Sequence, residues 1–107
     1  MNKYTVFWTK SAKADLEAVI KYIAEVSFET ASKKYEEIKN QAGTLEAFPK
    51  QGRIIPELLK NSITKYRELI ILPWRLMYKI ENNIVYVMAF IDGRRNIEDI
   101  LLQRLLR

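Results

Sequence analysis

The sequence predicts an α+β domain, in which an antiparallel sheet carries an N-terminal helical hairpin on one face. Two segments of the first half, residues 11–25 and 28–47, place apolar residues at helical spacing. From residue 66 onward, three short segments alternate in polarity or run apolar, as strands do. Helices that come before a group of strands indicate an α+β class, so we expect the order β-α-α-β-β-β-α in one domain spanning residues 1–107.

The first half opens with a strand and continues with the two helices. Residues 3–8 alternate in polarity, as expected for a strand. A hydroxyl side chain precedes each helix and can cap it, Thr9 or Ser11 for the first helix and Ser27 for the second. We expect five aromatic side chains to lie in or beside the core: Tyr4, Trp8, Tyr22, Tyr35 and Phe48.

The second half begins with an irregular segment and ends with a helix. Pro49 and Pro56 interrupt residues 48–65, which we expect to form a loop with one short turn. Asn82-Asn83 is typical of a two-residue turn with positive φ, which predicts a hairpin. The predicted strands are 66–72, 74–81 and 84–91, and the predicted last helix is 96–107. With all helices on one face, the other face of the sheet is expected to be open.

The composition excludes several kinds of site. The chain has no Cys and no His, so it lacks thiolate nucleophiles, disulfides, the commonest metal ligand and the commonest proton shuttle at neutral pH. We therefore predict no metal and no cofactor. No apolar run approaches the roughly 20 residues that span a bilayer, so we expect a cytosolic protein with no membrane partner.

Positive charge is concentrated in the second half. The formal charge is +5, and residues 51–107 hold all seven Arg, which leaves balances of +1 and +4 for the two halves. Guanidinium groups bind carboxylates and phosphates with planar geometry. This distribution predicts an anionic partner that is recognised by the second half.

The arginines of this half, with one aromatic neighbour, form the candidate binding site. Residues predicted to bind the target or an anion are Arg53, Arg67, Arg75, Arg94, Arg95 and Trp74. In the predicted meander, Arg75 and the Arg94-Arg95 pair lie close together, which suggests a clamp at the surface. The structural alternative is a set of internal ion pairs, Arg53 with Glu57 or Glu68 and the arginine pair with Glu98 or Asp99.

Several short motifs resemble one known family. They are Phe48-Pro49-Lys50-Gln51-Gly52-Arg53, Pro56-Glu57, Arg67-Glu68-Leu69, Trp74-Arg75-Leu76-Met77-Tyr78 and Gly93-Arg94-Arg95-Asn96-Ile97-Glu98. Their order and spacing resemble the RelE/ParE superfamily of toxins from type II toxin-antitoxin systems, closer to the ParE-like branch. The resemblance implies a small α+β toxin held inactive by a cognate antitoxin, and DNA gyrase as the target.

The resemblance leaves two other functions open. A RelE-like protein acts with the ribosome and cleaves mRNA, and here it would use Arg75 and Arg94, with Tyr78, Tyr86 or a lysine of residues 50–65 as a substitute proton donor. The absence of His counts against this enzyme. The other alternative is a non-toxic relative that only binds antitoxin. A homodimer and a toxin-antitoxin hetero-oligomer are both compatible with the sequence.

Overall fold

The structure is a computed structural model, and it describes residues 3–104. Within this range the strands are β1 (Thr5–Trp8), β2 (Arg53–Ile54), β3 (Tyr66–Ile71), β4 (Trp74–Glu81) and β5 (Ile84–Asp92). The helices are α1 (Lys10–Ala24), α2 (Phe28–Gly43), α3 (Pro56–Leu59) and α4 (Ile97–Arg104). This order confirms the predicted α+β class, with β2 and α3 added inside the segment predicted as a loop.

Both helices of the hairpin begin at the predicted capping residues. Thr9 accepts a hydrogen bond from the Ala12 amide, and Ser27 accepts one from the Thr30 amide. These bonds satisfy backbone donors that have no partner in the first turn of a helix. The second helix ends earlier than predicted, because the chain tightens into a 3-10 turn over Thr44–Glu46. The last helix was predicted to reach residue 107, and residues 105–107 lie outside the described range.

The sheet is mixed rather than wholly antiparallel. Its strand order is β1-β5-β4-β3-β2, and β2 through β5 form the expected antiparallel meander. Asn82 and Asn83 have φ of 50° and 65°, which confirms the tight turn between β4 and β5. The prediction was wrong for β1, which pairs parallel to β5 because the helical hairpin carries the chain across the sheet.

Both faces of the sheet are covered in part. On one face α1 and α2 pack over a core formed by residues such as Trp8, Leu76 and Val87. On the other face α4 places Ile97 and Leu101 in a second cluster, together with residues of α3, β4 and β5. The expectation of an open second face was therefore wrong, because the apolar side chains of β4 and β5 on that face are buried by α3 and α4.

The aromatic residues divide between core and surface. Trp8 is buried and Tyr4 packs against the core beside it, as predicted. Tyr22, Tyr35 and Phe48 are exposed, so the prediction was wrong for these three. The two tyrosines lie at the edge of the helical stripe, where a ring can extend into solvent without leaving its periodic position.

Candidate functional site

The candidate site is built around Arg75, near the start of β4. Arg75 lies on the face covered by α3 and α4, and only 8% of its surface is exposed. Strand pairing places Glu68 of β3 opposite Met77, so Glu68 and Arg75 are diagonal neighbours on one face. Arg75 Nε donates to Glu68 Oε1 at 2.6 Å, and Glu68 is 1% exposed. The centre of the site is therefore a buried ion pair.

Two more charged side chains complete this centre. Glu57 of α3 accepts two hydrogen bonds from the Arg75 guanidinium, at 2.7 and 2.8 Å, in a bidentate arrangement. Arg53 of β2 donates from Nε to Glu68 Oε2 at 2.7 Å. We call these four residues, Arg53, Glu57, Glu68 and Arg75, the ion-pair network. The alternative that paired Arg53 internally is confirmed for Glu68.

The ion-pair network balances its own charge. Hydrogen bonds from Arg75 lower the pKa of Glu57 below its usual value. The same bonds raise the pKa of Arg75, so its guanidinium is charged at any working pH. Two carboxylates and two guanidinium groups give a net charge of zero. This arrangement ties α3 and β2 to the sheet, and Arg75 has little surface left for an external anion.

The Arg94-Arg95 pair follows Gly93, whose backbone lies against the Arg75 side chain. Gly93 donates its amide to the Pro73 carbonyl at 2.8 Å, and a Cβ at position 93 would lie 3.2 Å from Arg75 Cδ. The side chain of Arg94 is exposed and bonds to Asp92, which lowers the pKa of that carboxyl to about 2. The predicted proximity of the two segments is confirmed along the backbone, whereas the guanidinium groups of Arg75 and Arg94 bind different carboxylates.

The other predicted site residues support the loop that precedes β2. Arg67 donates to the Gly52 carbonyl at 2.8 Å. Tyr78 is buried on the hairpin side of the sheet, where its hydroxyl donates to the Pro49 carbonyl at 2.7 Å and accepts from the Gly52 amide at 3.0 Å. Burial raises the pKa of this hydroxyl. Tyr78 thus faces away from Arg75, which speaks against its role as proton donor.

Trp74 packs against the hydrophobic core. Its ring stacks on Phe90 at a centroid distance of 5.6 Å and packs against the core under the helical hairpin. Trp74 was predicted to bind the target or an anion, and it follows Pro73, which interrupts the strand pattern. The opposite side of the same strand carries Arg75, so strand alternation directs Trp74 inward.

Sequence reasoning missed one further charged cluster. Asp15 of α1 accepts the Phe90 amide at 3.0 Å and two bonds from Arg104 of α4, one of them at 2.8 Å. Asp15 thereby accepts a hydrogen bond from a β5 amide that lies past the last residue paired with β1. It also links α1 to α4, two helices on opposite faces of the sheet. Its position among helical surface residues gave no signal of this contact.

The structure contains no sign of a metal centre or a membrane span in the part of the chain that it describes. Over residues 3–104, no cluster of three or more acidic, His or Cys side chains is arranged to hold a metal ion. No helix in the same range is long and apolar enough to cross a membrane.

Comparison with known families identifies the chain at family level. Residues 6–97 match the model of the ParE toxin of the type II toxin-antitoxin system parDE. Toxin ParE3 of Caulobacter vibrioides is 27% identical over 93 residues, which cover 86% of this chain and 89% of that protein. Toxin RelE2 of the same organism is 30% identical over 91 residues, which cover 84% and 96%.

A solved structure confirms the fold. A chain from the chromosomal ParDE toxin-antitoxin system of P. aeruginosa superposes with a TM-score of 0.68 at 22% identity. The match covers 84% of this chain and 96% of that one. With the family match over most of the sheet and both hairpin helices, this chain belongs to the ParE toxin family of type II toxin-antitoxin systems.

Proposed function

We propose that this ParE-family toxin inhibits DNA gyrase by binding it and is neutralised by a cognate antitoxin. The observation that carries the proposal is the state of Arg75. This residue corresponds to the strand arginine of the RelE-like nucleases, and here two carboxylates hold it in a buried site. An arginine already paired in this way is poorly placed to stabilise charge on a phosphate in a transition state.

The lack of His and the position of Tyr78 point the same way. General acid-base catalysis contributes about 10² to 10⁴ in rate, and it needs a titratable group within reach of the substrate. The sequence has no His, and the Tyr78 hydroxyl is occupied by two backbone groups on the far side of the sheet. These facts favour a toxin that acts by binding over one that cleaves mRNA.

Two assays test the proposed target. Purified toxin should inhibit supercoiling of relaxed plasmid by DNA gyrase, and the purified cognate antitoxin should restore supercoiling. In cells, induced expression should cause a DNA-damage response and filamentation while mRNA stays intact. Ribosome-dependent cleavage of mRNA in a translation reaction, with gyrase unaffected, would replace this proposal with the RelE-like one.

The same assays separate a third outcome. Soluble, folded toxin that neither inhibits gyrase nor slows growth, but still binds the antitoxin, would identify a non-toxic relative. Arg94 and Arg95 are exposed; Arg53 is exposed too, but its Nε is held by Glu68. The role of Arg94 and Arg95 in target binding remains a prediction, and the variants discussed below test it.

A further inference from the structure

The end of the helical hairpin exposes several large apolar side chains. We call residues 20–37 the hairpin end; they form the last turns of α1, the connection and the first turns of α2. In the connection Val26 is 90% exposed, and at the start of α2 Phe28 is 79% exposed. Tyr22 and Tyr35 on the same helices are exposed as well. A cluster of exposed apolar residues marks an interaction surface, whereas scattered single residues do not.

A groove of about 280 Å³ lies between the two helices of the hairpin end. Its apolar and small lining residues are Ile20, Ala24, Phe28, Ala31, Ser32 and Tyr35. The four members from α2 follow the spacing i, i+3, i+4 and i+7, so they share one face of that helix. Ile20 also packs against the core under the hairpin. The groove therefore continues the apolar stripe of the hairpin to a place where it is exposed.

The hairpin end offers both a projecting ring and a space for one. Phe28 lines the groove, yet most of its surface is in solvent. A cavity of about 150 Å³ is enough to hold benzene, so the groove has room for a phenyl ring. In a two-fold interface the same patch serves both partners. Each copy can thus insert Phe28 into the groove of the other.

The charge of the hairpin end also permits two copies to approach. Residues 20–37 hold three Lys and four Glu, a balance of −1, whereas the whole chain carries +5. Two copies therefore repel each other over the rest of the surface but not at this end. Glu29 and Lys33 form an exposed ion pair at 3.2 Å, and they can exchange partners across a two-fold axis.

We propose that two copies of this chain associate through their hairpin ends as a two-fold dimer, in which Phe28 of each copy fills the groove of the other. The inference is independent of the proposed target. A second copy fits this surface better than an acidic partner does, because an acidic segment is attracted to the basic second half of the chain and not to the hairpin end.

Two variants, each with a matched control, test this contact. Phe28→Ala removes the projecting ring, and Phe48→Ala makes the same change at an exposed side chain outside the hairpin. Ser32→Gln places a longer, uncharged side chain in the groove, and Ser11→Gln does the same at an exposed position in the first turn of α1. All four side chains are exposed, so the fold should persist, which circular dichroism checks.

Sedimentation equilibrium, from micromolar to millimolar protein, measures the association. The wild type should change from a mass of 12.7 kDa to twice that mass as its concentration rises. Phe28→Ala and Ser32→Gln should each weaken the dimer about a hundredfold, because each change occurs twice in the interface. The controls should stay within about threefold of wild type. A wild type that stays monomeric throughout, or controls as damaging as the test variants, would overturn the proposal.

A mixture of the two weakened variants gives a more specific result. In a mixed dimer, the intact ring of the Ser32→Gln copy meets the intact groove of the Phe28→Ala copy. Neither variant retains that contact with itself, so the mixed dimer should form about tenfold more tightly than either one alone. The measurement is fluorescence anisotropy of one variant, labelled at its N-terminus and titrated with the other.

Two outcomes of these measurements would refute the arrangement. No gain in affinity on mixing would mean that the ring of one copy does not enter the groove of the other. A monomeric wild type that binds purified cognate antitoxin, with an affinity lowered by Phe28→Ala but not by Phe48→Ala, would assign the hairpin end to the antitoxin instead.

Discussion

Removal of the Arg75 guanidinium should be among the most damaging single changes in this protein. Arg75→Met keeps most of the aliphatic stem but removes three hydrogen bonds, one to Glu68 and two to Glu57. Glu68 would remain buried with only Arg53 as its ionic partner. Breaking a buried ion pair from one side costs about 3–5 kcal/mol, because an uncompensated charge remains inside.

That loss is large relative to the stability of a domain of this size. Domains are typically stable by about 5–15 kcal/mol, so the variant would lose a substantial fraction of the total. At about 4 °C or more for each kcal/mol, we expect the Tm to fall by about 12 °C or more. Thermal unfolding followed by circular dichroism, and urea unfolding at neutral pH, would measure the effect.

Two controls make the result specific. Arg94→Met makes the same chemical change at an exposed side chain, and its Tm should stay at the wild-type value. The double variant Arg75→Met with Glu68→Gln should recover part of the loss, since the neutral amide no longer leaves a buried charge. A Tm for Arg75→Met within about 2 °C of wild type would refute the reasoning that the network supports the fold.

Three further predictions follow from the same contacts. Gly52→Ala should destabilise the fold by about 1–3 kcal/mol in urea unfolding, because its Cβ would lie 2.6 Å from the Tyr78 hydroxyl oxygen; an unchanged urea midpoint would contradict this. Arg94→Ala and Arg95→Ala should each reduce gyrase inhibition without changing the Tm, and full activity in both would remove the two arginines from the site. The pKa of Glu57 is lowered in the folded state, so the unfolded state takes up the proton at a higher pH than the folded state does. The stabilising contribution of Glu57 is therefore complete above its usual pKa of 4.5 and is lost as the pH falls through the folded-state pKa. Glu57→Gln should therefore flatten the loss of stability below that pH, measured by urea unfolding at several pH values, and an unchanged slope would contradict the assignment.

Local signals in the sequence predicted most of the elements. The hydroxyl caps at Thr9 and Ser27 and the Asn82-Asn83 turn each act over a few residues, so their effect can be recognised without the tertiary structure. The parallel pairing of β1 with β5 was missed because it joins residues nearly eighty positions apart. No local pattern specifies on which edge of the sheet a strand inserts after a long helical connection.

The candidate site was harder to predict, for a physical reason. An arginine within a strand of alternating polarity is normally predicted to lie at the surface, since burial of an isolated charge costs free energy. Arg75 is buried because Glu57 and Glu68 reach it from two other elements, eighteen and seven positions away in the chain. The charges that permit its burial are distant in sequence, so the pattern around position 75 gives no sign of them.

The motifs that identify the family describe the fold more than the target. Five residues of the family motifs lie in the ion-pair network or in the loop packed beside it: Gly52, Arg53, Glu57, Glu68 and Arg75. A set of residues that holds a loop and a short helix to a sheet can serve toxins with different targets. This accounts for a chain that matches both a relative named ParE3 and one named RelE2. We therefore expect the target to be bound by side chains outside these motifs or by the exposed arginines Arg94 and Arg95 of the last motif. Gyrase assays on surface variants are then more informative than assays on variants of the buried motif residues.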